Sequence, residues 1–232
     1  MDFRDRHVVV TGGTGALGSA LVGMLLDAGA VCHVPWLNEG EVQRFAHRSH
    51  ASVRLTQSDL TDEASVAKLY EAAPRLWASI HIAGGFAMEA VAKTGKVALM
   101  QQLDTNFVSC FLCCSAAVRT MTKSGAGGRI VNIAARPGLE WRSGAGMAAY
   151  TASKAAVAAL TVALAEEVVK DGILVNAVAP STIDTPANRE AMPKANHAAW
   201  PKPDEIAQTI LFLASADNRV TRGAVVPVYG KV

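Results

Sequence analysis

The sequence predicts an α/β protein: a mainly parallel, seven-stranded sheet with helices on both faces, formed as one domain over residues 1–232. Three observations predict it. Short β-branched runs alternate with helical spacings along the whole chain. The runs are nearly all apolar instead of alternating apolar with polar, and half of all residues are hydrophobic. Strands that are apolar on both sides need helices on both sides, and parallel strands need crossovers long enough to hold a helix.

Residues 6–11 read as the first strand and 17–28 as the first helix. A strand at 31–35 is followed by a helix near 39–47. A third strand at 53–56 precedes helical spacing over 62–72, with Thr61 as its expected cap. Residues 77–82 give the fourth strand, and 96–123 a long helix ended by Ser124-Gly125-Ala126-Gly127-Gly128. The fifth strand, 129–134, leads to a second long helix at 148–170 and a sixth strand at 173–178. A helix at 203–214 and a short strand at 224–228 complete the pattern. The irregular stretch 181–202 reads as a substrate loop.

Net charge is +2, with no basic run, so neither nucleic acid nor an anionic membrane is an expected partner. No apolar stretch has the length of a membrane span, and the N-terminus lacks a signal peptide's apolar core; a cytoplasmic location is expected. Of Cys32, Cys110, Cys113 and Cys114, three crowd one apolar helical stretch. With no His or second Cys pair nearby in sequence they read as core filler, and no metal site is expected.

The first strand runs into Gly12-Gly13-Thr14-Gly15-Ala16-Leu17-Gly18, and Gly13-x-Gly15-x-x-Gly18 has the dinucleotide spacing. Its glycines serve a tight turn, close backbone approach to a pyrophosphate, and close helix–strand packing; the helix N-terminus favours the phosphate charge. The fold class is therefore Rossmann-type and doubly wound, with NAD(P)(H) as cofactor. The second strand ends Val34-Pro35-Trp36-Leu37-Asn38, with neither an acid for the ribose of NAD nor an arginine for the phosphate of NADP, so the choice between them stays open. Trp36, at this strand's end, is expected among the cofactor contacts.

In Tyr150-Thr-Ala-Ser-Lys154, residues at i and i+4 share one helix face, so an ammonium sits beside a phenol. Such a charge would favour phenolate and lower a pKa ordinarily near ~10. The motif resembles the Tyr-x-x-x-Lys of the short-chain dehydrogenase/reductase family, and the likeness covers nearly the whole chain. The resemblance implies that Tyr150 exchanges a proton with substrate while nicotinamide exchanges hydride, and that Asn106 joins them in a proton relay. It also implies cofactor contacts from Asp59 and Leu60 after the third strand, from Ala83, Gly84 and Gly85 after the fourth, and from Pro180, Ile183 and Thr185 after the sixth.

Two departures stand out. His81 and Ile82 replace the asparagines of the family's Asn-Asn-Ala-Gly, which predicts weaker side-chain bracing. The serine that normally holds the substrate oxygen falls at Ala135; Ser143, in a loop about two residues longer than usual, is one candidate substitute. Ala83-Gly-Gly-Phe86, Asp184-Thr-Pro-Ala-Asn-Arg189 and Ala191-Met-Pro193 leading to Trp200 resemble the dihydropteridine reductase branch of the family, which also lacks this serine. The substrate is thus a small carbonyl or alcohol, or a quinonoid ring system. Phe86, Ala135, Trp141, Met192 and Trp200 are expected to wall its pocket. The alanine-rich helix at 148–170 implies, by resemblance, a homodimer or homotetramer. The alternative to an active oxidoreductase is a protein that binds NAD(P) but catalyses weakly, as a sensor or interaction partner.

Overall fold

The structure, a computed structural model, describes residues 1–73 and 75–232. Its elements follow in the order β1 (His7–Thr11), α1 (Ala16–Asp27), β2 (Val31–Trp36), α2 (Glu39–Arg44), β3 (Val53–Gln57), α3 (Glu63–Glu71) and β4 (Leu76–His81). Then come α4 (Lys96–Leu103), α5 (Ser109–Ser124), β5 (Gly128–Ile133), α6 (Arg136–Leu139), α7 (Ala148–Glu167) and β6 (Ile173–Pro180). The chain closes with α8 (Pro186–Ala191), α9 (Pro203–Ala214) and β7 (Val225–Val228).

The seven strands lie in the order β3-β2-β1-β4-β5-β6-β7, and every neighbouring pair is parallel. Crossovers run one way from β1 to β3 and the other way from β4 onward. A crevice therefore opens between the carboxyl ends of β1 and β4, where folds of this kind take their ligands. Period-two side chains split the core into two layers. Val8 and Val10 face α1 and α9, packing with Leu21, Leu25, Ile206 and Ile210. Val9 faces the other way, into the layer of α3, α5 and α7 with Leu69, Met121, Val157 and Ile173. Leu21 and Leu25 have no exposed surface, so truncating either to Ala costs about 2–5 kcal/mol.

Three expectations need correction. The helix over 96–123 is not continuous: a π-helical turn, Asp104–Val108, separates α4 from α5. There the Ser109 amide donates to Asp104 instead of Thr105, and the Ser109 hydroxyl takes the bypassed Thr105 carbonyl at 2.7 Å. The cap of α3 is Asp62, not Thr61, its carboxylate accepting from the Ser65 amide at 2.7 Å. Within 181–202, Thr185 caps α8, and a 3-10 turn spans His197–Ala199.

Candidate active site

The glycine turn closes on itself. Gly12 has φ +66°, and a Cβ there would stand 2.7 Å from the Ala83 amide nitrogen after β4. A Cβ on Gly18 would fall 2.1 Å from the Gly12 carbonyl, and one on Gly13 would meet Val34 of β2. Side chains would thus fill the cradle and push α1 off the sheet. Gly15 is the N-cap of α1, so no side chain occupies its first amide groups; α3 and α8, by contrast, are capped by Asp62 and Thr185. The open amides and bare backbone fit a pyrophosphate. Thr11 ties this turn to β4, its hydroxyl accepting from the Ala83 amide at 3.2 Å.

Across the crevice, residues 84–86 join the three side chains expected to work together. A Cβ on Gly84 would lie 2.7 Å from Asn106 Oδ1 and 3.3 Å from Lys154 Nζ, so only a bare backbone passes here. Asn106, buried in the π turn, clamps Gly85: its Oδ1 accepts from the Gly85 amide and its Nδ2 donates to the Gly85 carbonyl, both at 3.0 Å. The Phe86 ring meets the Tyr150 ring edge-on, with centroids 5.0 Å apart. Lys154 is buried and donates to the Ile133 carbonyl at 2.8 Å.

The short chain dehydrogenase model matches residues 6–196. The chain belongs to the short-chain dehydrogenase/reductase family. Cis-4-hydroxycyclohexanecarboxylate dehydrogenase of Sinomonas cyclohexanicum is 32% identical, over 98% of this chain and 96% of that protein. The 3-beta-hydroxysteroid dehydrogenase of Comamonas testosteroni is 30% identical, over 96% and 93%. Among solved structures, a short chain dehydrogenase/reductase family protein superposes with TM-score 0.90 at 30% identity, covering 99% of this chain and 98% of that one. ElxO with NADP bound gives 0.87 at 25% identity, covering 97% of each. The protein is an NAD(P)-dependent oxidoreductase.

In this dehydrogenase/reductase, desolvation dominates the electrostatics of the two motif residues. Burial pushes the Tyr150 phenol up to about 12 and the Lys154 ammonium down to about 8. The expectation that Lys154 lowers the phenol's pKa is thus reversed in the chain by itself, because burial of the phenol outweighs any help from the ammonium, which donates to the Ile133 carbonyl. Tyr150 keeps its proton at neutral pH and can donate it.

Other expected residues divide by what their polar atoms already do. Asp59 stands at the end of β3, but its carboxylate accepts from the Thr61 amide and hydroxyl at 2.8 and 2.7 Å. Leu60 is packed against the α3–α5 layer and Trp36 ends β2 half-buried. Beyond β6, which ends at Pro180, the Ile183 carbonyl accepts from Asn188, and the Thr185 hydroxyl from the Asn188 amide. Both oxygens therefore hold α8 in place.

The expected pocket wall is only partly assembled. Phe86 and Met192 are exposed, and Ala135 is buried as the N-cap of α6. Trp141 does not stand beside Tyr150: it lines a cavity of about 420 Å³ with Ala148, Thr151, Ala152 and Ala155, the opposite face of α7. Trp200 is no open wall either; it is buried and packs at a tilt against the His197 ring, centroids 4.7 Å apart, anchoring the loop. The Ser143 hydroxyl donates to the Glu140 carbonyl at 2.8 Å within its own turn and offers no evident substitute at Ala135.

His81 does not weaken the bracing. Buried, it bonds Asn132 Oδ1 through Nδ1 and Ser79 Oγ through Nε2, each at 2.8 Å. Sequence reasoning missed these partners, and it missed Glu41, whose carboxylate accepts from the Thr14 hydroxyl at 3.1 Å and so reaches the glycine turn from α2. Its signal was faint: Asn38-x-x-Glu41 is a capping box, which explains an acid there without any ligand.

Proposed function

We propose that Tyr150, Lys154 and Asn106 are the working residues of a reductase or dehydrogenase acting on a small carbonyl or alcohol. The observation that carries this reading is the run 84–86, which abuts Lys154 and Asn106 through Gly84, is clamped by Asn106 at Gly85, and packs on Tyr150 through Phe86. Gly12 to Gly18 would hold the pyrophosphate, and Trp36, Asp59, Leu60, Ala83, Pro180, Ile183 and Thr185 would flank the rest of the dinucleotide. The bound nicotinamide supplies or accepts the hydride. Tyr150 gives the substrate oxygen its proton in reduction, Lys154 holds positive charge below the new alkoxide, and Asn106 fixes the backbone between them.

Glu41 supports NAD over NADP. A carboxylate beside Thr14 would repel a ribose phosphate and accept from ribose hydroxyls. Two relatives are named for hydroxyl groups on saturated rings, which makes ring alcohols and their ketones the first class to screen. Ala135 favours a second reading, a conjugated or quinonoid ring that needs no hydroxyl at its oxygen. The outer face of α7 and the exposed Val97, Met100 and Phe111 support pairing of protomers as a dimer or tetramer.

The test is titration of the purified protein with NADH and NADPH, then turnover of cyclic ketones and quinonoid dihydropterin by wild type and Tyr150→Phe. Turnover lost in the variant supports the reading. Equal activity in both proteins rejects it in favour of a weakly catalytic binder.

A further inference from the structure

We propose that His81, Cys110, Cys114 and Asn132 form a buried binding site for a zinc-class divalent cation, directly beneath the catalytic centre. His81 ends β4, Cys110 and Cys114 stand one turn apart on α5, and Asn132 lies on β5; none is more than 4% exposed. The His81, Cys110 and Cys114 donor atoms all fall within 4.8 Å of one another. Asn132 Oδ1 lies 3.4 Å from each sulfur and 2.8 Å from His81 Nδ1, while that nitrogen is 3.5 Å from Cys114 Sγ and 4.0 Å from Cys110 Sγ. A tetrahedral ion bonded at ~2.3 Å to sulfur and ~2.0–2.1 Å to nitrogen or oxygen needs donors roughly 3.3–3.8 Å apart. The separations here, 2.8–4.0 Å with no pair of His and Cys donors beyond 4.8 Å, bracket that range, so closing the cage needs shifts of about half an ångström to one ångström.

The surroundings fit the same reading. With all groups neutral and Nδ1 protonated, two thiols and an imidazole N–H face one amide oxygen, which has two lone pairs. A cation resolves that conflict, because both sulfurs and the Nδ1 lone pair then point at it. Ser79 Oγ at 2.8 Å and Tyr70 OH at 3.2 Å stand ready to take the Nε2 proton, which would leave Nδ1 as the ligand. Asn132 Nδ2 donates to Thr161 Oγ1 at 2.9 Å, which turns Oδ1 into the cage. Ligating histidines are generally oriented by such an outer partner. Binding releases the two thiol protons to solvent, and two thiolates neutralise the dication, so no net charge is buried.

The spacing in sequence conceals the site: Cys110-x-x-Cys113 draws the eye, yet Cys113 lies outside the cluster and the histidine arrives from another strand. Cys110 follows Asn106 by four residues and His81 precedes Gly84 by three. The ion would therefore fasten β4 to α5 under the Asn106–Gly85 clamp.

The test is metal content. Protein expressed with added zinc, and protein unfolded and refolded in Co²⁺ under reducing conditions, should each carry one ion per chain. The cobalt form should show thiolate charge-transfer and intense tetrahedral ligand-field bands. Cys113→Ala should keep both signals, and Ser79→Ala should weaken affinity by about 10–100-fold. Cys114→Ser and His81→Asn, the latter installing the family's residue, should lose them while circular dichroism reports a folded chain. Wild type without zinc and without the cobalt spectrum overturns the proposal, as does an ion retained undiminished in both ligand variants.

Discussion

Where β1 turns into α1, the crevice is made of main chain: Gly12, Gly13 and Gly18 leave no room for side chains, and the amides of α1 are open. Where β4 meets α5 and α7, it is made of buried side chains, Asn106, Lys154, His81 and Asn132, each hydrogen-bonded to another element. The first construction would suit a shape and charge common to all dinucleotides. The second holds individual protons and orients individual groups, so it is where chemistry can differ between relatives with the same fold.

That contrast can be broken by mutation. Tyr150→Phe should lower kcat by about 10²–10⁴-fold with cofactor affinity little changed, as measured by steady-state turnover and fluorescence titration; a large loss of affinity instead would mean the phenol binds more than it reacts. Ala135→Ser installs the hydroxyl donor that the family resemblance places at this position. It should raise turnover of a simple ketone by up to about 10²-fold and leave a quinonoid substrate unaffected, which separates the two substrate classes.

On the main-chain side, Gly12→Ala should cost at least about 1–3 kcal/mol for its positive φ, with further loss from the clash at Ala83, and should abolish cofactor binding. Glu41→Gln should narrow the preference for NADH over NADPH by about tenfold, read from the two dissociation constants. The smallest effect is on stability. Lys154 has a folded pKa of about 8, below its usual value of 10.5. Between those two values the unfolded chain binds more protons than the folded one, so stability rises with pH. Wild type should gain Tm relative to Lys154→Met across that window and show no such gain below it.

The same division explains what could be read from the sequence. Apolar strands and a glycine turn follow local rules, so every strand, the tight turn before α1 and the shared helix of Tyr150 and Lys154 were legible within a few residues. The π turn around Asn106 was not: its side chain bonds Gly85 after β4, a contact between segments 21 residues apart that no local rule marks. Trp141 and Trp200 were misplaced for a similar reason: an aromatic in a loop says nothing about which side of α7 it will meet. Glu41 and the His81 network required two elements distant in sequence to be brought together, and only the sheet order does that.

Gly138 of α6 lies flat on α7: a Cβ there would stand 2.8 Å from the Lys154 carbonyl carbon. This contact is a fixed stop between α7 and the loop that follows Gly138. Residues 141–147 can lengthen, shorten or change shape outward from that stop without carrying Tyr150 and Lys154 along. The surface that Trp141 lines on the far face of α7 is therefore mechanically separate from Tyr150 and Lys154, and a bulkier residue at position 138 would couple the two.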